Sequence, residues 1–202
     1  DHYRVDGRML AIVGSLLGED LKQIINQLHW KPPGAAMADF AFHQDCRFRR
    51  PPEAYRDLAT SYVQTGIAVD THRRANGAMR ILPGSHRFGD LGLAESGPVL
   101  AQTMQDDSLR QVGLDPRALI DLEMDVGDVA LWSPYLVHGS GPNRTREDRR
   151  LYINGFARAE CCDRGEWAFR GGKAVKLGHQ PALVHYDDVH TRPEPYYVDE
   201  AY

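Results

Sequence analysis

The stretch HQDCRF, residues 43–48, sets a histidine and an aspartate one position apart with phenylalanines close by on both sides. On a strand, His43 and Asp45 would point to one face, because extended side chains repeat every two residues. An imidazole nitrogen and a carboxylate oxygen side by side suit a divalent metal. Most such pairs are surface accidents or local hydrogen-bond pairs, so a third ligand has to decide. LVHGSGPN supplies a candidate in His138, which follows an apolar stretch and opens a loop of small residues. Alone, that histidine reads as structural. With His43 and Asp45 it completes two histidines and a carboxylate, a set that can hold one face of an iron(II) ion and leave the other open.

Elements must bring these residues together. Met9, Ile12, Val13, Leu16 and Leu17 recur at helical spacing, and Gly18 supplies a stop. IINQLHWKPPG reads as a strand entering a loop, because proline forces the residue before it to be extended; Ile25, Gln27 and His29 then share a face. Short period-two segments follow: FAFHQD, ATSYVQTGIAVD with Val63, Thr65, Ile67 and Val69 on one side, MRILPGSH, DLEMDVGDVALW and RRLYINGFARAE. Asn76-Gly77, Pro83-Gly84-Ser85 and Gly127-Asp128 read as turns. Residues 88–118 lack the pattern and read as an insertion with helix around 101–112. Many short strands between turns point to a sandwich or barrel.

The ordered set HWKPPG, HQD, NGAMRILPGSH, GDVALW, HGSGPN and RR resembles the phytanoyl-CoA dioxygenase family, the iron(II)- and 2-oxoglutarate-dependent branch that includes ectoine hydroxylase. The matching motifs run from about Ile24 to Arg158. The resemblance implies a mainly β fold, a double-stranded β-helix or jelly roll with flanking helices. It implies that His43, Asp45 and His138 are the iron ligands and catalytic centre, with 2-oxoglutarate and O2 as cosubstrates. Arg149 would hold the distal carboxylate of 2-oxoglutarate, and Ser140 and His29 would contact the same molecule. Gln27, Arg47 and Phe48 would face substrate. Gly66 stands where some relatives carry a tryptophan. The part before HWKPPG is shorter than in relatives, so the expectation is one domain over residues 1–202 with an incomplete N-terminal segment. The intact carboxylate at Asp45 favours hydroxylation over halogenation.

Other residues keep two readings. Arg47, Arg49 and Arg50 form either a solvated charge run or the mouth of the site. Trp132 and Phe156 read as core, Cys161 and Cys162 as packing at a strand end, and Trp167 with the tail HYDDVHTRPEPYYVD as outer cover. His185 and His190 lie in that tail.

Composition adds the frame. The 202 residues carry a net charge of −4 and 26% charged residues, no signature of a general nucleic-acid binder. No apolar run approaches the ~20 residues of a membrane span, and no secretory signal opens the chain. Three cysteines make no disulfide framework, so a cytoplasmic setting is expected. The function expected is hydroxylation of a small metabolite, antibiotic intermediates among them. The alternatives are a non-oxidative metal enzyme and a jelly-roll binding module.

Overall fold

A computed structural model describes residues 2–35, 40–93 and 106–178. They form, in order, α1 (Gly7–Leu17), β1 (Leu21–Lys31), β2 (Phe40–His43), α2 (Leu58–Ser61), β3 (Tyr62–Ala68) and β4 (Met79–Ile81). After these come α3 (Asp106–Gln111), β5 (Ile120–Asp121), β6 (Val129–Trp132), β7 (His138–Ser140), β8 (Arg149–Arg158), β9 (Glu166–Arg170) and β10 (Lys173–Ala174). The strands make two antiparallel sheets. The larger runs β10-β9-β1-β8-β3-β6 and the smaller β2-β7-β4-β5. This is the expected jelly roll.

Three apolar layers hold it. Between the sheets, Met79 meets Ala68, Trp132, Leu151 and Ile153 of the larger sheet. Outside the larger sheet, Met9, Val13 and Leu17 of α1 bury against Val63 and Phe156. Asp6 starts that helix by accepting from the Arg8 N–H at 2.8 Å, and Gly18 ends it at φ 91°. Ile12 and Leu16 share the helical spacing but stay exposed. Outside the smaller sheet, Leu109 of α3 packs with Phe42, Leu82 and Val137. The insertion therefore roofs the strands that carry the two candidate histidines. Its expected helix is present over Asp106–Gln111, whereas 94–105 lie outside the described residues.

The faces decide what lines the interior. Val63 and Ile67, the apolar period-two face of β3, turn outward beneath α1. Its other face, Tyr62, Gln64, Gly66 and Ala68, turns inward. A strand in the larger sheet is covered on both sides, so the more apolar face need not be the inner one. No described helix is long and apolar enough to cross a membrane. Cys46, Cys161 and Cys162 are free thiols. Burial pushes Cys46 up to about 12, which leaves it a packing residue rather than a nucleophile. The tail with His185 and His190 lies outside the described residues.

Candidate metal centre

His43 ends β2 and pairs directly across the smaller sheet with His138, the first residue of β7. Their ring centroids lie 4.2 Å apart. Each ring is locked through Nδ1, His43 on the Ala41 carbonyl at 2.8 Å and His138 on the Leu136 carbonyl at 2.9 Å. A carbonyl only accepts, so Nδ1 carries a proton, and in the neutral ring Nε2 is the atom left with a lone pair. Both Nε2 atoms stand 3.8 Å from Asp45 Oδ1. One ligand atom from each of the three residues fits within 4.8 Å of the others, and all three residues are buried.

Asp45 gets there by a route the spacing did not foretell. It is not on the strand with His43. β2 stops at His43, Gln44 stays extended, and Asp45 opens a 3₁₀ turn over Asp45–Phe48. The shared-face argument from period two is therefore corrected, since convergence comes from a strand end and the turn after it. Gln44 fixes that turn from behind. Its amide donates to the carbonyls of Gly89 at 2.8 Å and Tyr135 at 2.6 Å, and its oxygen accepts from the Leu91 N–H at 2.8 Å. The Cys46 N–H adds a bond to the Pro134 carbonyl at 2.9 Å. Ser85 of the PGSH turn accepts from the Val137 N–H at 2.8 Å, steadying the entry to His138.

Asp45 Oδ2 accepts from the Trp132 indole N–H at 2.9 Å. Trp132 is buried as expected of a core residue, yet its polar edge serves the carboxylate. Gly66 makes room for it: a β-carbon there would sit 3.1 Å from the indole ring and from Leu151. Burial alone would push the Asp45 carboxyl up. The imidazoles of His138 and His43, the Arg49 guanidinium and the Trp132 bond outweigh that and hold it below the ordinary carboxylate range. Burial, with His138 close by, lowers His43, so its Nε2 stays unprotonated. This donor set fits a divalent metal with imidazole and carboxylate preference.

The other singled-out residues lie at or near this centre. His29, on the inward face of β1, stacks on Phe40 with centroids 5.2 Å apart and meets Gln27 Oε1 at 3.2 Å. Burial and the Arg149 charge lower His29 to about 4. Ser140 is buried on β7 opposite Phe40. Phe48 presents its edge to His43 at 5.9 Å, and the Arg47 guanidinium lies 5.1 Å over Phe48. Of the three arginines after HQDC, Arg49 is buried, Arg47 half-buried and Arg50 exposed, so neither reading covers the whole run.

Arg149 opens β8 opposite Lys31 and is 2% exposed. Its Nε is buried without a hydrogen bond, and no carboxylate among the described residues pairs with it. Burial lowers it only to about 10, so it keeps its charge at neutral pH. A buried cation of this kind calls for an anionic ligand. Arg150, one residue on, points the other way and forks onto Asp70 with two bonds of 2.7 Å. Gln44, Trp132 and the Lys31 ammonium, which donates to the Ser140 carbonyl at 3.3 Å, were not legible as site residues. Their side chains act through bonds between segments distant in sequence.

A profile of the phytanoyl-CoA dioxygenase family matches residues 1–151. The chain is 31% identical over 146 residues to "Dioxygenase lolE1" of Epichloe uncinata, covering 72% of this chain and 49% of that protein. It is 30% identical over 158 residues to a probable alpha-ketoglutarate-dependent hypophosphite dioxygenase of Stutzerimonas stutzeri, covering 76% and 51%. The chain thus spans about half the length of these curated relatives. Among solved structures, EctD from S. alaskensis with 2-oxoglutarate and 5-hydroxyectoine superposes with a TM-score of 0.61 at 19% identity, covering 87% of this chain and 62% of that one. At that identity the likeness speaks for the fold.

Proposed function

Because the chain belongs to the phytanoyl-CoA dioxygenase family, we propose that it is an iron(II)- and 2-oxoglutarate-dependent oxygenase that hydroxylates a C–H bond of a small metabolite. The observation that carries this reading is the meeting of His43, Asp45 and His138, with both Nε2 atoms 3.8 Å from one Asp45 oxygen. In it these three residues hold the iron, and Arg149 pairs with the distal carboxylate of 2-oxoglutarate. Ser140 and His29 line the cosubstrate, while Gln27, Arg47 and Phe48 border the substrate. When bound, iron and 2-oxoglutarate supply the oxidising power, with O2 consumed and succinate and carbon dioxide released.

The residues of the chain do the rest. The Ala41 and Leu136 carbonyls hold both imidazoles in the metal-binding tautomer before any ligand arrives. Trp132 engages one oxygen of Asp45 and leaves the other to the metal. Arg149 offers a desolvated guanidinium whose fork matches a carboxylate. His29 stays neutral at working pH and contributes a hydrogen bond rather than a charge. Leu151 and Ile153 make the adjoining wall apolar and help exclude water.

Succinate release under air, dependent on iron(II), 2-oxoglutarate and an added metabolite, is the expected result with the full chain. Iron binding without succinate release across a broad metabolite panel would point to a non-oxidative metal enzyme or a binding module.

A further inference from the structure

The start of β8 is held by more than its strand partners. The Val69 N–H donates to the Arg150 carbonyl at 3.1 Å, Asp70 accepts from the Arg150 N–H at 2.8 Å, and His72 Nε2 donates to the same carbonyl at 3.1 Å. His72 is itself fixed, because its N–H donates to the Met124 carbonyl at 2.8 Å and its carbonyl accepts from the Met124 N–H at 3.1 Å. Met124 belongs to the apolar layer between the sheets, with Leu151 and Ile153. His72 is fully buried there, at the end of β8 where Arg149 stands.

Holding the strand uses only one ring nitrogen. In the neutral ring, donation from Nε2 leaves Nδ1 with a lone pair. That Nδ1 is buried without a hydrogen-bond partner among the described residues, and so is Arg149 Nε. One is an acceptor and the other a donor, on segments joined through the Arg150 carbonyl, and the Arg149 charge is felt at His72. Each unmatched buried group costs stability. A guanidinium that grips a carboxylate end-on spends its two Nη groups and leaves its Nε–H to find another acceptor. An uncharged acceptor suits that place. Asp70 neutralises Arg150, whereas an imidazole can orient Arg149 and leave its charge to a ligand.

We propose that His72 is a positioning residue for Arg149: its Nδ1 accepts from the Arg149 Nε–H and turns the two Nη groups toward the distal carboxylate of 2-oxoglutarate. The inference rests on the oxygenase reading above and adds a residue to the same site.

Two amides separate the roles of the two ring nitrogens. His72→Gln reaches as far as Nε2 and can still donate to the Arg150 carbonyl, but it has no acceptor at the place of Nδ1. His72→Asn puts its amide oxygen where Nδ1 stood and is too short for the carbonyl. The full chain is titrated anaerobically with iron(II) and either 2-oxoglutarate or 2-oxopentanoate, which has a methyl group in place of the distal carboxylate. Chelation of iron(II) by either oxo acid gives a visible band, so binding is read without turnover. The unaltered chain is expected to half-saturate with 2-oxoglutarate at a concentration at least about tenfold below that for 2-oxopentanoate. His72→Gln should raise the 2-oxoglutarate value about tenfold and the 2-oxopentanoate value less than about twofold. His72→Asn should keep 2-oxoglutarate within about threefold while its melting temperature falls. In an Arg149→Ala background, His72→Gln should change 2-oxoglutarate binding less than about twofold. Unchanged 2-oxoglutarate binding in His72→Gln, equal shifts for both oxo acids, or loss in His72→Asn with retention in His72→Gln overturns the inference alone. Should His72→Asn not fold, His72→Gln and the Arg149→Ala background decide. A band without preference for 2-oxoglutarate overturns the role of Arg149 along with the inference, and no band with either acid overturns the oxygenase reading.

Discussion

In the proposed centre Asp45 would bind the metal through one oxygen, which requires that the other be engaged elsewhere. Trp132 meets that need with its 2.9 Å bond to Asp45 Oδ2. Trp132→Phe keeps most of the packing against Gly66 and Leu151 and deletes the donor. Loss of a hydrogen bond to a charged group costs ~1.5–3 kcal/mol, and outer-shell partners typically change metal affinity ~10–100-fold. Cobalt(II) titration of the variant should show affinity at least about tenfold weaker than the unaltered protein; equal affinity would mean the indole is only filler. Arg149 allows a second check at this scale. Arg149→Ala should raise the Michaelis constant for 2-oxoglutarate at least about tenfold, the loss of one charge-assisted contact. Arg150→Ala should change it less than about twofold, because that guanidinium is spent on Asp70. The reverse ranking would sink the assignment. Residue types made the three candidate ligands legible, because two imidazoles and a carboxylate have few other shared uses, whereas Arg149 came from the family resemblance. Trp132 escaped, since an indole inside an apolar strand announces packing and conceals its N–H.

At the scale of elements, the centre depends on how a strand ends. Period two is a rule for continuous extended backbone, and it failed at Asp45 because β2 gives way to a 3₁₀ turn after Gln44. What replaces strand pairing there is the Gln44 side chain, whose three bonds reach the Gly89–Leu91 segment and Tyr135. No local signal marks a glutamine for such a task. Gln44→Ala removes all three bonds and leaves two part-buried carbonyls and an N–H to find water. A loss of ~2–4 kcal/mol is expected from such a buried network. Urea unfolding should show a lower midpoint with an unchanged slope, accompanied by weaker metal binding. A variant as stable as its parent would show that the turn holds itself. Strand existence was legible for most of β1 to β8, because turn residues and alternation agree there, but β7 was not: HGSGPN read as a loop of small residues, whereas His138–Ser140 is a strand. The direction of the β3 faces was not, because α1 buries Val63 and Ile67 from outside, a tertiary fact that alternation cannot register.

For the whole molecule, the interior prefers neutral imidazoles. Burial, then the Arg149 charge, lowers His29 to about 4, and the same two causes in the same order lower His72 to about 4. His72 is fully buried with Nε2 donating to the Arg150 carbonyl at 3.1 Å and Nδ1 without a partner. Its site was not legible, since a histidine in THRR carries no pattern that separates a buried ring from a surface one. In the unfolded chain both rings take up protons near the ordinary value of 6.5; in the folded protein they wait until about 4. Between those values the unfolded state holds more protons, so acidification favours unfolding and stability falls as pH drops through that window. The carboxylates held low by arginines, such as Asp70 and Asp163, lose their contribution only below 3.8, so they do not set this slope. Each imidazole contributes on the order of 3 kcal/mol across the full window. Metal-free protein should therefore lose stability steadily from about pH 6.5 to pH 4.5 in urea unfolding. His72→Gln, which can still donate to the Arg150 carbonyl, should flatten that decline by roughly a third, because His43, lowered to about 3, takes up a proton on unfolding in the same window as His29 and His72. A profile as steep in the variant as in its parent would place the acid sensitivity elsewhere.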